Sequence, residues 1–235
     1  MNSTSEPSGK GSRTAFGPAF RASIPVLLGY MTIGIAFGLL LVKSDQPWWL
    51  AVVMSAIVYA GAAQFMAVGL LAVGTSIAEI AVLTFVINAR HMVYGLSLLG
   101  RFAPCKRFKA YLVFALTDET YGILTTTVPP EGVDKESFYA AVSALDQSYW
   151  IIGSALGALI GGILPFDMKG IDFALTALFI VLLVEQIRTI KRPEPYIVAT
   201  VATAIALILV GPANLLIVAI LISIAGILPF RKTLA

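Results

Sequence analysis

Ile80-Ala81-Val82-Leu83-Thr84-Phe85-Val86-Ile87-Asn88-Ala89-Arg90-His91-Met92-Val93-Tyr94-Gly95-Leu96-Ser97-Leu98-Leu99 sets a guanidinium and an imidazole in the middle of an otherwise apolar run. Twenty such residues span the ~30 Å hydrocarbon layer as a helix. An arginine at that depth costs about 2.5–3.5 kcal/mol on insertion scales, so it faces protein or a wet cavity and marks a functional site. The same pattern recurs through the chain. Of 235 residues 58% are hydrophobic and 12% charged, about half the charge of a soluble domain, and the mean hydropathy is +0.90.

The fold class is therefore an all-α polytopic membrane protein. Apolar segments fall at 19–42, 49–73, 77–99, 110–128, 138–164, 171–187, 196–211 and 213–230. A β-barrel would show ten-residue alternation instead. Connections of about ten residues leave no room for a soluble domain, so 19–230 reads as one transmembrane domain. Residues 1–18, rich in Ser, Gly and Pro, read as a disordered tail with no cleavable signal, and the first apolar segment inserts the chain.

Charge sets the orientation. Basic clusters occur at Arg101/Lys106/Arg107/Lys109, Arg188/Lys191/Arg192 and Arg231/Lys232. The net charge of +3 then reflects cytoplasmic loops rather than a nucleic-acid partner. Eight plain crossings with a cytoplasmic N-terminus would leave the first cluster outside. The conflict disappears if 49–73 and 138–164 are broken or re-entrant, interrupted at Gly61-Ala62-Ala63-Gln64 and Asp146-Gln147-Ser148. The acidic Glu131/Asp134/Glu136 loop then lies opposite the basic ones. On this reading 19–99 and 110–187 form two repeats of helix, broken helix, helix, with Leu83-Thr84 echoed by Leu175-Thr176. Eight plain helices and one exceptional loop are the alternative.

Small residues mark helix contacts. Gly34-x-x-x-Gly38 and Gly153-x-x-x-Gly157-x-x-x-Gly161 let backbones approach where lipid offers no apolar driving force. They serve packing within the fold or, alternatively, a homo-oligomer.

Polar residues at membrane depth form four groups. Gly61 is the expected helix break, and Gln64 beside it either meets substrate or ties helices together. Asn88, Arg90, His91 and Tyr94 form the second group, with Thr84, Asn88, His91 and Gly95 on one helical stripe. Arg90 suits a substrate carboxylate or a buried acid, and His91, the one histidine, can carry a proton. In Thr117-Asp118-Glu119-Thr120-Tyr121 the two adjacent acids point ~100° apart, so one can pair with Arg90 while the other titrates. Asp146 and Gln147, with Ser143 and Ser154 on the same face, line a pathway, or sit at the headgroups if Trp150 is an interfacial anchor. Glu79 and Glu185 sit near helix ends. A zwitterionic amino acid with an apolar side chain is one ligand that fits this inventory.

No nucleotide loop, H-E-x-x-H or G-x-S-x-G occurs, the single Cys105 allows no internal disulfide, and no metal-ligand spacing is present. An enzyme, a cofactor and a metal are accordingly not expected. Tyr59-Ala60-Gly61-Ala62-Ala63-Gln64-Phe65, Asn88-Ala89-Arg90-His91-Met92-Val93-Tyr94-Gly95 and Leu116-Thr117-Asp118-Glu119-Thr120, with Pro25 and Gly34-Ile35-Ala36-Phe37-Gly38, resemble the AzlC family over residues 16–230. The resemblance implies the large subunit of a two-component exporter of branched-chain amino acids in the bacterial inner membrane, working with a small AzlD-like membrane protein. Within it Tyr59, Gly61, Gln64, Phe65, Arg90, His91, Tyr94, Gly95, Asp118 and Glu119 match the family pattern, and Asn88 departs from it where some relatives carry an acid.

Overall fold

A computed structural model describes residues 14–72, 74–163, 192–211 and 215–227, with isolated positions between 180 and 188. The described residues form helices and no strands. They are α1 (Phe16–Lys43), α2 (Trp48–Ile57), α3 (Gly61–Ala72), α4 (Ile77–Ser97), α5 (Leu99–Phe102), α6 (Lys109–Phe114), α7 (Asp118–Thr126), α8 (Lys135–Ile163), α9 (Glu194–Val210) and α10 (Leu215–Ile227). The chain divides into two compact units, 1–168 and 169–235. In the second, α9 and α10 pack on each other. Most of the segment at 171–187, with its Leu175-Thr176 and Glu185, lies outside the described residues, as does most of the expected tail. Helix α1 begins at Phe16, inside the boundary of 18 expected for that tail.

The first unit is built around α1 and α8, which run in the same direction in close contact. Ser23 meets Tyr149 at 3.1 Å, Gly34 lies against Gly153 and Ser154, Gly38 against Ser154 and Ala158, and Gly161 against Leu39. A Cβ placed on Gly38 would fall on the Ser154 carbonyl oxygen, and one on Gly157 would fall on that of Ile35. The two glycine motifs are thus each other's partners within one chain. Backbone approach at this distance replaces the apolar driving force that lipid removes.

Both α1 and α4 are long and apolar enough to cross a membrane. Helix α8, with 29 residues or about 43 Å of rise, is long enough but carries Asp146, Gln147 and Ser148. It is unbroken through these residues. The expected interruption of 138–164 is therefore wrong: each of these polar side chains finds partners without opening the helix. Asp146 accepts from Thr120, Gln147 bonds Tyr111 and Ala56, and Ser148 returns its hydroxyl to the Ala144 carbonyl.

Two other segments are broken. The segment at 49–73 divides into α2 and α3 at Val58–Ala60, where Tyr59 has φ +44°. In a straight helix Ser55 and Gln64 would be about 13 Å apart, yet Gln64 Nε2 donates to Ser55 Oγ at 3.2 Å. The chain therefore doubles back, and Phe65 returns to Phe37 on α1. This hairpin enters from the end where α1 and α8 finish. The re-entrant expectation for this segment agrees with that course, except at Gly61. Gly61 is the first residue of α3, not the break, and a Cβ there would meet the Trp150 ring at 3.1 Å. Close packing requires this glycine.

The segment at 110–128 is the second broken one, divided into α6 and α7 at 115–117. It enters from the end where α1 and α8 begin: the Phe108 N–H donates to Glu136 at 2.6 Å. It returns there as well, since Tyr121 stacks on Tyr94 and Arg101 reaches the Thr125 carbonyl. The same end holds Asp134, which accepts from the Ser137 N–H and caps α8. That bond holds the Asp134 carboxyl below its ordinary range. Arg101, Asp134, Lys135 and Glu136 line one surface hollow. The acidic loop thus shares an end with the first basic loop, contrary to expectation, because the broken segment is 110–128 and not 138–164.

The repeats as drawn fail for the same reason. What the structure places in sequence is a broken pair followed by a long helix, twice. Helices α2, α3 and α4 enter from one end; α6, α7 and α8 enter from the other.

Candidate functional site

The tips of the two broken hairpins meet beside α1 and α8, half-way along both, and every break leaves backbone groups without helical partners. At the first tip the Gln64 side chain fills that need. Its Oε1 accepts from the Ala60 N–H at 3.1 Å and from the Trp150 indole N–H at 3.0 Å, and its Nε2 donates to Ser55. Ser55 donates in turn to Ser154. Gln64, Ser55 and Ser154 are fully buried. At the second tip Thr117 caps α7 by accepting from the Thr120 N–H, and Asp118 and Glu119 occupy the first turn, where the helix dipole favours negative charge.

Asp118 and Glu119 diverge as expected of neighbours on a helix. Asp118 pairs with Arg90 on α4 at 2.6 Å, and His91 Nε2 lies 3.9 Å from its other oxygen. The pair is half open, with Arg90 36% and Asp118 39% exposed. Tyr94 stacks on Tyr121 at 4.6 Å between centroids. Asn88, one helical turn before His91, is half-buried, with a buried side-chain oxygen that has no partner.

Glu119 points the other way. Although exposed itself, it receives the Tyr30 hydroxyl on Oε2 at 2.7 Å. Tyr30 also lies 2.7 Å from Thr117 Oγ1, Thr117 lies 3.0 Å from Thr120 Oγ1, and Thr120 donates to Asp146 Oδ2 at 2.8 Å. Asp146 is fully buried, and its second oxygen has no partner. The Tyr59 hydroxyl lies beside Thr120 and Tyr30, also buried and unpartnered. Gln147 is held between Tyr111 and the Ala56 carbonyl. Among the described residues no group of three or more His, Cys, Asp or Glu side chains fits a metal ion.

The match to the AzlC protein family model covers residues 25–164, which hold both hairpins and every residue of this site. This chain belongs to the AzlC family. A Helicobacter pylori protein described as an uncharacterized membrane protein is 39% identical over 94% of this chain and 96% of its own length. The Bacillus subtilis branched-chain amino acid transport protein AzlC is 34% identical over 94% of this chain and 87% of its own. The Escherichia coli inner membrane protein YgaZ is 31% identical over 67% of each. No solved structure matches. The protein is thus a membrane protein of a family with transport members.

In this AzlC-family chain the structure brings Arg90, His91, Tyr94 and Asp118 together, and joins Glu119 to Asp146. It does not bring Gln64 to them: Gln64 ties α3 to α2 and α8, the second of the two roles open to it. Trp150 is buried against Tyr30 and Phe37 rather than anchored at an interface. Tyr30, Tyr59, Thr117 and Thr120 escaped the set of candidate site residues. Tyr30 stands in an apolar stretch with no polar neighbour in sequence, and its partners lie 87 and 89 residues away.

Proposed function

We propose that this chain is the large subunit of a secondary exporter of branched-chain and similar apolar amino acids, valine, leucine, isoleucine and methionine, in the bacterial inner membrane. Export is coupled to the proton gradient and needs a small AzlD-like membrane partner. The observation that carries the reading is the meeting of two broken hairpins, entering from opposite ends, around charged and polar side chains. Discontinuous helices at a mid-membrane site, arranged as inverted repeats, are a recurrent transporter device. The relation to a branched-chain amino acid transport protein supplies the substrate class.

The residue roles are part of the same proposal, and the geometry supports them. Arg90, held by Asp118, exchanges that carboxylate for the carboxylate of the substrate, because a guanidinium fork fits both equally. Asn88 and Tyr94 line the same opening, and His91 sits where it senses whether Asp118 is paired. Glu119 takes the proton-coupling role in preference to Asp118, which is neutralised by Arg90. Asp146 faces the same region from α8, with Gln147 beside it. Gln64 and Gly61 shape the α2–α3 tip. The N-terminus is cytoplasmic, on the side of Arg101, Lys106, Arg107 and Lys109.

Efflux from cells loaded with dipeptides tests this reading. Cells carrying the chain and its partner release valine, leucine and methionine faster than cells lacking the chain. Equal efflux refutes export.

A further inference from the structure

Glu119 and Asp146 are joined by four short contacts that run through only three hydroxyl groups. The contacts are Glu119–Tyr30 at 2.7 Å, Tyr30–Thr117 at 2.7 Å, Thr117–Thr120 at 3.0 Å and Thr120–Asp146 at 2.8 Å. Each hydroxyl supplies one hydrogen. Three hydrogens cannot fill four links. The chain is complete only when one carboxyl supplies the fourth, and hydroxyl hydrogens rotate to suit. We propose that the two carboxyls share a single proton and exchange it through Tyr30, Thr117 and Thr120. This rests on the proton-coupled reading above.

Either end can hold the proton. When Asp146 holds it, Asp146 donates to Thr120, Thr120 to Thr117, Thr117 to Tyr30, and Tyr30 to Glu119. In transfer the Asp146 O–H bond breaks and its proton joins Thr120 Oγ1. Thr120 passes its own to Thr117, Thr117 to Tyr30, and Tyr30 to Glu119 Oε2. Every hydroxyl oxygen loses one proton and gains one, Asp146 becomes a carboxylate and Glu119 a neutral acid. All donors then point the other way.

The two ends differ in access. Glu119 is exposed, whereas Asp146 is fully buried and no described cation pairs with it. A buried carboxylate without a cation is costly, so the resting proton belongs to Asp146 and exchanges through Glu119, the more open of the two ends. The charged and titratable groups around the relay are few. Glu119 has Asp118 on α7, Arg90 on α4 and Tyr30 on α1. Asp146 has Glu119 on α7, Tyr59 at the α2–α3 break and Tyr111 on α6.

Infrared difference spectra of the full-length protein in lipid nanodiscs test the shared proton. A protonated carboxyl gives a C=O band that shifts in D2O. Glu119→Gln and Asp146→Asn each place an amide N–H donor at one end and so supply the fourth hydrogen themselves. Both substitutions are expected to abolish the same single band. Two distinct bands, each lost with its own substitution, overturn the proposal, as does the absence of any such band. Tyr30→Phe cuts the relay while keeping the ring. In proteoliposomes it should lower transport driven by a pH gradient by about tenfold or more, while substrate counterflow at equal pH stays within about twofold. Unchanged pH-driven transport overturns the relay. A wild-type protein that transports without any pH dependence refutes the coupled-transport reading instead, and the infrared result then decides the relay by itself.

Discussion

The α1–α8 pair and helix α4 carry the polar residues of one site, yet they hold them in opposite ways. Along α1 and α8 backbones touch through glycines, and Asp146 and Ser154 on α8, with Ser55 and Gln64 packed against it, are fully buried and held by hydrogen bonds without any ion pair. Helix α4 packs lightly, with Leu83 its one buried residue among those described, and presents the half-open Arg90–Asp118 pair. Close packing makes the first region rigid and intolerant of volume. The second can exchange partners because little else depends on the pair.

Substitutions break this comparison, from the largest expected effect on folding or transport to the smallest. Gly38→Val should be the most severe, since no side chain can enter against the Ser154 carbonyl oxygen. A loss of about 3 kcal/mol or more is expected for overpacking of this kind, read as failure to yield folded protein in detergent. A normal melting curve would show that α1 and α8 can separate without cost. Gln64→Leu comes next. It leaves the Trp150 indole N–H and the Ala60 N–H buried without acceptors, at about 1–3 kcal/mol each, and lowers the melting temperature while Arg90 stays in place.

Arg90→Ala should behave in the reverse sense. Little else packs on this part of α4, so thermal stability should change less than in Gln64→Leu while transport is lost. Transport at the wild-type rate would remove Arg90 from the site. Asp134→Ala, at the start of α8, is the mildest change, about 1 kcal/mol as for other helix caps. Its pH dependence has a definite sign. The folded carboxyl titrates lower than the unfolded one, so its contribution is present above the unfolded pKa and lost as pH falls through the folded value. Wild type and variant should therefore converge in stability in acid, and a difference that persists there would show that Asp134 is not the cap.

Much of the fold was legible because membranes demand it. Apolar length marked the helices, glycine spacing marked faces of close helix contact, and the cost of Arg90 in an apolar run marked one wall of the candidate site. Glu79, read as lying near a helix end, completes the capping box with Ser76 at the start of α4. The breaks were harder. Asp146-Gln147-Ser148 and Gly61-Ala62-Ala63-Gln64 look alike as polar interruptions, but only the second adjoins a break. Both sets find partners on other helices, and such partners are invisible in a local window.

The sequence by itself determined that the chain is a membrane protein, that its two glycine-lined helix faces allow close backbone approach, and that Arg90 needs an acid or a ligand. Those conclusions follow from transfer costs and helical spacing, which are local. Only the tertiary structure decided which acid meets Arg90, that 110–128 rather than 138–164 is broken, and that Tyr30 links Glu119 to Asp146. Each depends on residues far apart in sequence, 89 positions in the case of Tyr30 and Glu119, being held at hydrogen-bond distance. No periodicity encodes such contacts, because they arise from how whole helices are laid against one another.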